Sequence, residues 1–369
     1  MPAGIAGARG GSTWIRRGVA LGVTVALIVV ATLAFGGTKP TSVNLRVAPI
    51  EVIAAPIAAF DRIDAEKSRF GRLTWRGGLV LTSPAQNFGG WSGLALGAGG
   101  EHFVAVSDAG AWMTGTLTYD GGRLKGMEKV QLGPLQAVSG QTMPRYRDRD
   151  AEGLTMLDGD PSKGRVLIGF ERNQRIGEYG VDAKGFSPAH SFFKPPPAAK
   201  RMDPNGGFEA ITVLRGGPRT GALVTISERF LDAAGDHTGW LWIGGVPQQF
   251  QIKNIGDFDI TDAAALPNGS VLLLERRFRW SEGVKVHLRL LGADELRPGA
   301  RTQGETLLDA TMSQEIDNME GLAVHTGPGS EIIITMISDD NFNTAIQRTL
   351  LLQFAFDGSG LASAAPPRQ

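Results

Sequence analysis

The hydrophobic positions of this chain recur in short alternating runs, not in helical stripes. "EGLTML" at Glu152–Leu157 and "EGLAV" at Glu320–Val324 share a tripeptide 168 residues apart. Three further segments repeat the pattern: Trp91–Leu96, Phe208–Val213 and Thr261–Leu266. Each opens on a short polar or acidic residue, continues with Gly or Ala, and then alternates apolar positions. Aligned this way, the anchors are Ser92, Glu152, Glu209, Asp262 and Glu320, spaced by 60, 57, 53 and 58 residues. Self-similarity at a fixed period marks a repeat architecture. Period-two alternation marks half-buried strands.

A second apolar run follows each anchor and closes on an acid. These runs are "HFVAVSD" ending at Asp108, "RVLIGFER" with Glu171, "ALVTISER" with Glu228, "SVLLLERR" with Glu275 and "IIITMISDD" with Asp339. The offset from anchor to closing acid is 19 residues in three units, and 13 in the fourth, where "PNGS" makes a tight turn. Two such runs joined by a turn form an antiparallel hairpin, which brings both acids of a unit to one edge. With further strand candidates such as Arg175–Val181 and Thr349–Phe356, each unit reads as a four-stranded propeller blade. The expected fold is all-β: a β-propeller with five visible blade repeats, and five or six blades if a degenerate one is present. Arg72–Leu81 is the candidate outer strand of the last blade, closing the ring.

Composition agrees: 42% apolar and 20% charged residues, with 51 glycines and 20 prolines to serve the turns. The 37 basic and 37 acidic residues cancel, which gives no reason to expect nucleic acid or an anionic surface as a partner. The absence of cysteine removes disulfides, thiol nucleophiles and thiolate metal sites. At the N-terminus, Arg9, Arg16 and Arg17 precede the uncharged stretch 18–35, "GVALGVTVALIVVATLAF". That is the form of an export signal or of a short membrane anchor. Thr32-Leu33-Ala34 fits a cleavage site poorly, which favours an uncleaved anchor with the arginines inside. The chain then divides into a signal or signal-anchor helix (1–36), a linker (37–69) and the propeller (70–369). The domain is expected to be exported, periplasmic and monomeric, touching the membrane only through its N-terminal segment.

Nine carboxylates aimed at one axis repel one another, and something must compensate. A hard cation such as Ca²⁺ would, since it takes six to eight oxygen ligands. Protonation would as well, and so would arginines. Glu171-Arg172, Glu228-Arg229 and Glu275-Arg276 place arginines at equivalent positions, either as salt bridges between blades or as an anion site beside a metal. The acids also read as caps on strand ends. No Gly-x-Ser-x-Gly elbow, His-Glu-x-x-His or phosphate-binding Gly-rich loop is present. The five histidines lack ligand spacing, His237 being the one with a suggestive loop context, and "KPPP" at 194–197 marks an exposed loop between blades.

The motifs "RDRDAEGLTML", "VLIGFERNQRIGEY", "GFEAITVL", "LVTISER", "DAAALPNGSVLLLERRF", "NMEGLAV" and "ISDDNFN", in that order, resemble the phytase-like family described by esterase-like activity. The resemblance spans about residues 70–357. It implies an exported β-propeller and, by analogy with metal-dependent propeller phytases, calcium held by acids at the channel mouth. On that implication Glu152, Glu209, Asp262, Glu320 and Asp339 hold the metal. Arg172, Arg229 and Arg276 hold a phosphoester or ester substrate, and Glu171 or Glu228 serves as general base. The alternative is a non-catalytic envelope binding module, its ring held by a structural ion or by salt bridges.

Overall fold

In the first three repeats the four runs are joined by turns and short connections, so each strand returns antiparallel to the one before it and the four form a sheet. In a computed structural model, which describes residues 39–40, 42–359 and 361, the sheets are five blades of a β-propeller. Blade 1 is Trp91–Leu96, His102–Ser107, Ala111–Asp120 and Arg123–Pro134. Blade 2 is Ala151–Asp160, Lys163–Phe170, Arg175–Asp182 and Gly185–Phe193. Blade 3 is Phe208–Val213, Leu223–Leu231, His237–Ile243 and Val246–Ile252, edged by Arg301–Thr302. Blade 4 is Asp259–Ala265, Val271–Arg279, Gly283–Leu291 and Glu305–Ala310.

Blade 5 is composite. Met319–Thr326, Ile332–Ser338 and Thr349–Phe356 are completed by Leu73–Thr82, which pairs antiparallel with Thr349–Phe356. The strand expected at Arg72–Leu81 therefore closes the ring, one residue later at each end, and the ring has five blades. Closure joins the two ends of the domain and leaves no gap in the ring where a blade edge would stand exposed.

The stretch read as a linker belongs largely to the domain. Ala48–Pro49 pairs with the outer strand of blade 1, and Ile53–Ile57 pairs with Leu73–Thr82. Phe60 is fully buried against Phe70, Trp75 and Phe354. The buried clusters and the residues packed on them all lie between Leu45 and Leu361, so a fragment from residue 37 carries the whole core. The apolar segment 18–35, expected as a helix, lies outside the described residues. Among the described residues no helix is long and apolar enough to cross a membrane.

The recurring Glu-Gly-Leu has a packing cause. Inner strands lie side by side around the axis, and at each glycine the next blade comes too close for a side chain. A Cβ on Gly153 would stand 2.2 Å from the Glu209 carbonyl oxygen of blade 3. One on Gly93 would meet the Leu154 Cβ of blade 2 at 2.7 Å. Leu154 and Leu322, which follow the glycines, are buried in the core. Gly153→Ala should therefore cost about 1–3 kcal/mol of unfolding free energy, because the clash is with backbone. Gly99→Ala, where a Cβ meets nothing within 4 Å, should be near neutral. Urea titration of the two variants checks this, and equal midpoints would disprove the close-approach account.

Candidate functional site

A strand of strict period two would turn alternate side chains of the inner strands away from the mouth of the channel. One extra residue in each inner strand changes that. The pairing steps from Trp91↔Ser107 to Gly93↔Val106 in blade 1, and from Phe208↔Ser227 to Ala210↔Ile226 in blade 3. Blades 2, 4 and 5 have the same irregularity. The skipped residues are Ser92, Glu209, Thr261 and Glu320, with Glu152 at the wider step in blade 2. A bulge re-aims a side chain, and here it turns the repeated acid toward the axis.

This register corrects the alignment in blade 4. Ile260 pairs with Glu275 and Asp262 with Leu274, so the bulged residue is Thr261, not Asp262. The residue closing the second strand is then Arg276, not Glu275. A one-residue slip sends a side chain to the opposite face, and both misaligned acids prove to be structural. Asp262 is fully buried, and its oxygens accept the Ala263 N–H at 2.7 Å and the Leu322 N–H of blade 5 at 2.7 Å. It stands where other blades have glycine or alanine and ties blade 4 to blade 5, outside the pocket that the other acids line. Glu275 forms a forked ion pair with the fully buried Arg289. The fourth unit shortens its hairpin at "PNGS", and the alignment lost its phase there.

The other candidates converge. Ser92, Asp108, Glu152, Glu171, Glu209, Glu228, Glu320 and Asp339 line one pocket of about 160 Å³ at the mouth, with Arg172, Arg229 and Arg276. Lys39, Tyr146, Asn205 and Asn341 line it too and were not singled out in the sequence. Arg276 Nε stands 3.3 Å from Glu320 and its terminal nitrogen 3.7 Å from Glu228. Arg229 reaches Glu228 at 3.2 Å and Asp259 at 2.6 Å. Arg172 holds a left-handed backbone with φ of 54°. That turn carries its guanidinium over the Tyr146 ring at 4.7 Å and onto Asp150. Lys39 donates to Asp108 and, at 2.7 Å, to the Tyr146 hydroxyl. His237 is structural: its two ring nitrogens face the Glu228 and Phe258 carbonyls, each at 2.9 Å.

Seven carboxylates line the pocket against four cationic side chains, which leaves three net negative charges if all are ionised. Two acid groups could hold a cation, Asp150/Glu152/Glu171 and Glu171/Glu209/Glu228, with one oxygen from each residue lying within 4.8 Å of the others. Asp150, fully buried, precedes Glu152 by two positions, a same-side spacing that was legible in the sequence. One oxygen of Asp150 and one of Asp108 are buried without a hydrogen-bond partner. An all-oxygen donor set with orphaned carboxylate oxygens fits a hard divalent cation.

Burial is the first cause of the pKa shifts here, and neighbouring acids add to it. It raises Asp108 to about 6, Glu171 to about 7 and Glu228 to about 8, although Arg276 and Arg229 oppose the rise at Glu228. Glu152, Glu209 and Asp339 are held well above the ordinary carboxylate range by burial and then by adjoining carboxylates.

The sequence model of the family described as "Phytase-like: Esterase-like activity of phytase" matches residues 86–342. The chain belongs to the phytase-like family. No curated protein matches it. Among solved structures, the chain is similar to the β-propeller domain of Cps50 (Swd1) from Myceliophteria thermophila, at 7% identity and a TM-score of 0.35, covering 85% of this chain and all of that one. It is also similar to a hypothetical protein from Leishmania major, at 8% identity and a TM-score of 0.40, covering 77% of this chain and 91% of that one.

The raised acids set a pH dependence for the phytase-like domain. Below about pH 4.5 folded and unfolded chains both keep these protons. As pH rises from there to about 8 the unfolded chain releases them first, so the folded state holds more protons and stability falls. The melting temperature of chelator-treated protein should therefore decline across this window. Glu228→Gln should make the decline shallower, and an unchanged slope in that variant would refute the assignment. Asp262→Ala should lower stability by about 2–3 kcal/mol, through unpaired buried N–H groups, yet leave cation binding intact. Calorimetry with Ca²⁺ reads the second half, and loss of binding in a folded Asp262→Ala protein would return Asp262 to the site.

Proposed function

We propose that this phytase-like propeller is a metal-dependent phosphoester hydrolase whose site is the acid-and-arginine pocket at the channel mouth. The observation that carries the reading is the charge imbalance: buried carboxylates outnumber the cations among them, and two groups of acids bring their oxygens together. Glu152, Glu171 and Glu209 are the residues that would hold Ca²⁺, with Asp150 beside Glu152 and Glu171. A bound divalent cation neutralises phosphate charge and lowers the pKa of a bound water.

The chain's own groups supply the rest. Arg276 and Arg229 lie beside those acids and would supply positive charge to phosphate oxygens, Arg229 keeping its Nε and one terminal nitrogen on Asp259. Glu228, raised to about 8 by burial in the metal-free site, is left outside the Ca²⁺-holding set and exchanges its proton near neutral pH, as a general base requires. Arg172, fixed by Asp150 and by Asn205 at 2.8 Å, closes the rim on the blade 2 side. No serine or cysteine nucleophile is needed in such a reaction, which agrees with the missing motifs. A position outside the cytoplasm belongs to the same proposal and rests on the arginines and apolar stretch of residues 9–35.

The test is calorimetry with Ca²⁺ on the fragment 37–369, alongside Glu152→Gln and Glu209→Gln, and hydrolysis of 4-nitrophenyl phosphate by the same samples. Binding and turnover should both be lost in each variant while the fold, read by circular dichroism, persists. Arg276→Met should bind Ca²⁺ and raise KM for the phosphoester. A folded parent that takes up no Ca²⁺ and turns over no phosphoester with any divalent cation would refute the reading.

A further inference from the structure

The mouth has a surface of its own kind. The connections from blade to blade run at that end, and its loops and strand ends carry most of the exposed apolar side chains. Val138, Phe193, Leu231, Trp280, Met312 and Ile346 all stand on mouth-end loops or strand ends, Trp280 being 71% exposed. Of the eleven large apolar side chains exposed among the described residues, only Ile243 and Val246 sit on a turn at the opposite end, between the third and fourth strands of blade 3.

Over blades 1 to 3 the exposed charge of that end is mainly basic, although the chain as a whole is neutral, the pocket itself is acidic and the connection between blades 3 and 4 exposes Asp257. The connections 135–150 and 194–207, between blades 1 and 2 and between blades 2 and 3, expose Arg145, Arg147, Lys194, Lys200 and Arg201 against one exposed acid, Asp203. In the second of these, Phe193 and Lys194 project together at the head of the proline run. Apolar side chains backed by lysine and arginine are what an anionic lipid interface retains.

The third observation is where the described chain begins. Lys39 is seated in the mouth pocket itself, on Asp108 and Tyr146. The uncharged segment 18–35 ends four residues earlier, a span of at most about 14 Å even fully extended. If that segment lies in a bilayer, the mouth cannot be far from the bilayer surface.

We propose that the mouth face docks on an anionic lipid bilayer, so that the phosphoester offered to the site is one carried by a lipid head group. The second half of that statement rests on the proposed function, while the docking itself does not. The fragment 37–369, lacking the apolar segment, should cosediment in EDTA with vesicles made of equal parts phosphatidylglycerol and phosphatidylcholine. It should leave them at high salt and ignore phosphatidylcholine alone. The double variant Phe193→Ser/Trp280→Ser should bind about tenfold more weakly or less, because two apolar anchors are gone. Ile243→Ser/Val246→Ser should bind as the parent does. Failure of the folded fragment to bind the anionic vesicles, or equal loss in both double variants, would overturn the docking. Because the chelator removes any metal, that result is independent of the Ca²⁺ and hydrolysis measurements. Docking without turnover would leave a membrane-bound non-enzyme, and turnover without docking would leave an enzyme for soluble phosphoesters.

Discussion

Like charges gathered on one axis are the constraint around which this propeller is built. Five inner strands must begin at the same end of the channel, and the bulge in each turns a side chain inward there. With the residue that closes each second strand this makes ten positions; four are glutamates in blades 2 and 3 and three more are acids from blades 1 and 5, so like charges repel there at low dielectric. The molecule answers it three ways at once. Arg276 is set between Glu228 and Glu320, Lys39 is drawn in from the chain's beginning, and the remaining acids keep protons to unusually high pH. Burial raises these acids first and their neighbours add to it, while four cations face seven carboxylates. A site left short of positive charge in its ground state is suited to receive a cation.

The fold was legible because its repeat is written in packing, not in chemistry. Glu-Gly-Leu survives twice because the glycine admits the neighbouring blade's backbone and the leucine fills the core, so a tripeptide marks a geometric position. The same pattern located seven of the pocket's acids by counting alone. It failed in blade 4, where the hairpin is shortest. There Thr261 replaces the acid and Asp262 replaces the glycine, so a carboxylate one place late was taken for the anchor. Only the pairing register separates the two. Each oxygen of Asp262 accepts a backbone N–H, one of them from the neighbouring blade.

Residues brought in from outside the repeat were not legible. Lys39 and Tyr146 belong to no strand of a blade, and no periodicity aims them at the mouth; they are placed by the tertiary path of the N-terminal segment and of the connection between blades 1 and 2. Asp150 was readable in principle, two residues before Glu152, but the anchor itself drew attention from it. The stretch 37–69 reads as a linker because it is poor in long apolar runs. Its strands are edge additions of two and five residues, too short to show alternation.

The exception in blade 4 gives the ring its direction. Were all five blades alike, the mouth would be a symmetric cup of acids, without a side for metal and a side for substrate. The two acid groups able to gather oxygens lie over blades 2 and 3, and they share Glu171. Arg276, the residue that replaces an acid in blade 4, lies next to them around the ring, and Arg229 at the end of the second strand of blade 3 stands between. A phosphate bridging these sectors would meet negative charge compensated by cation on one side and guanidinium on the other, with Glu228 at the boundary. The polarity of the site thus follows from two departures from the repeat, Arg276 in place of an acid in blade 4 and Ser92 in place of one in blade 1.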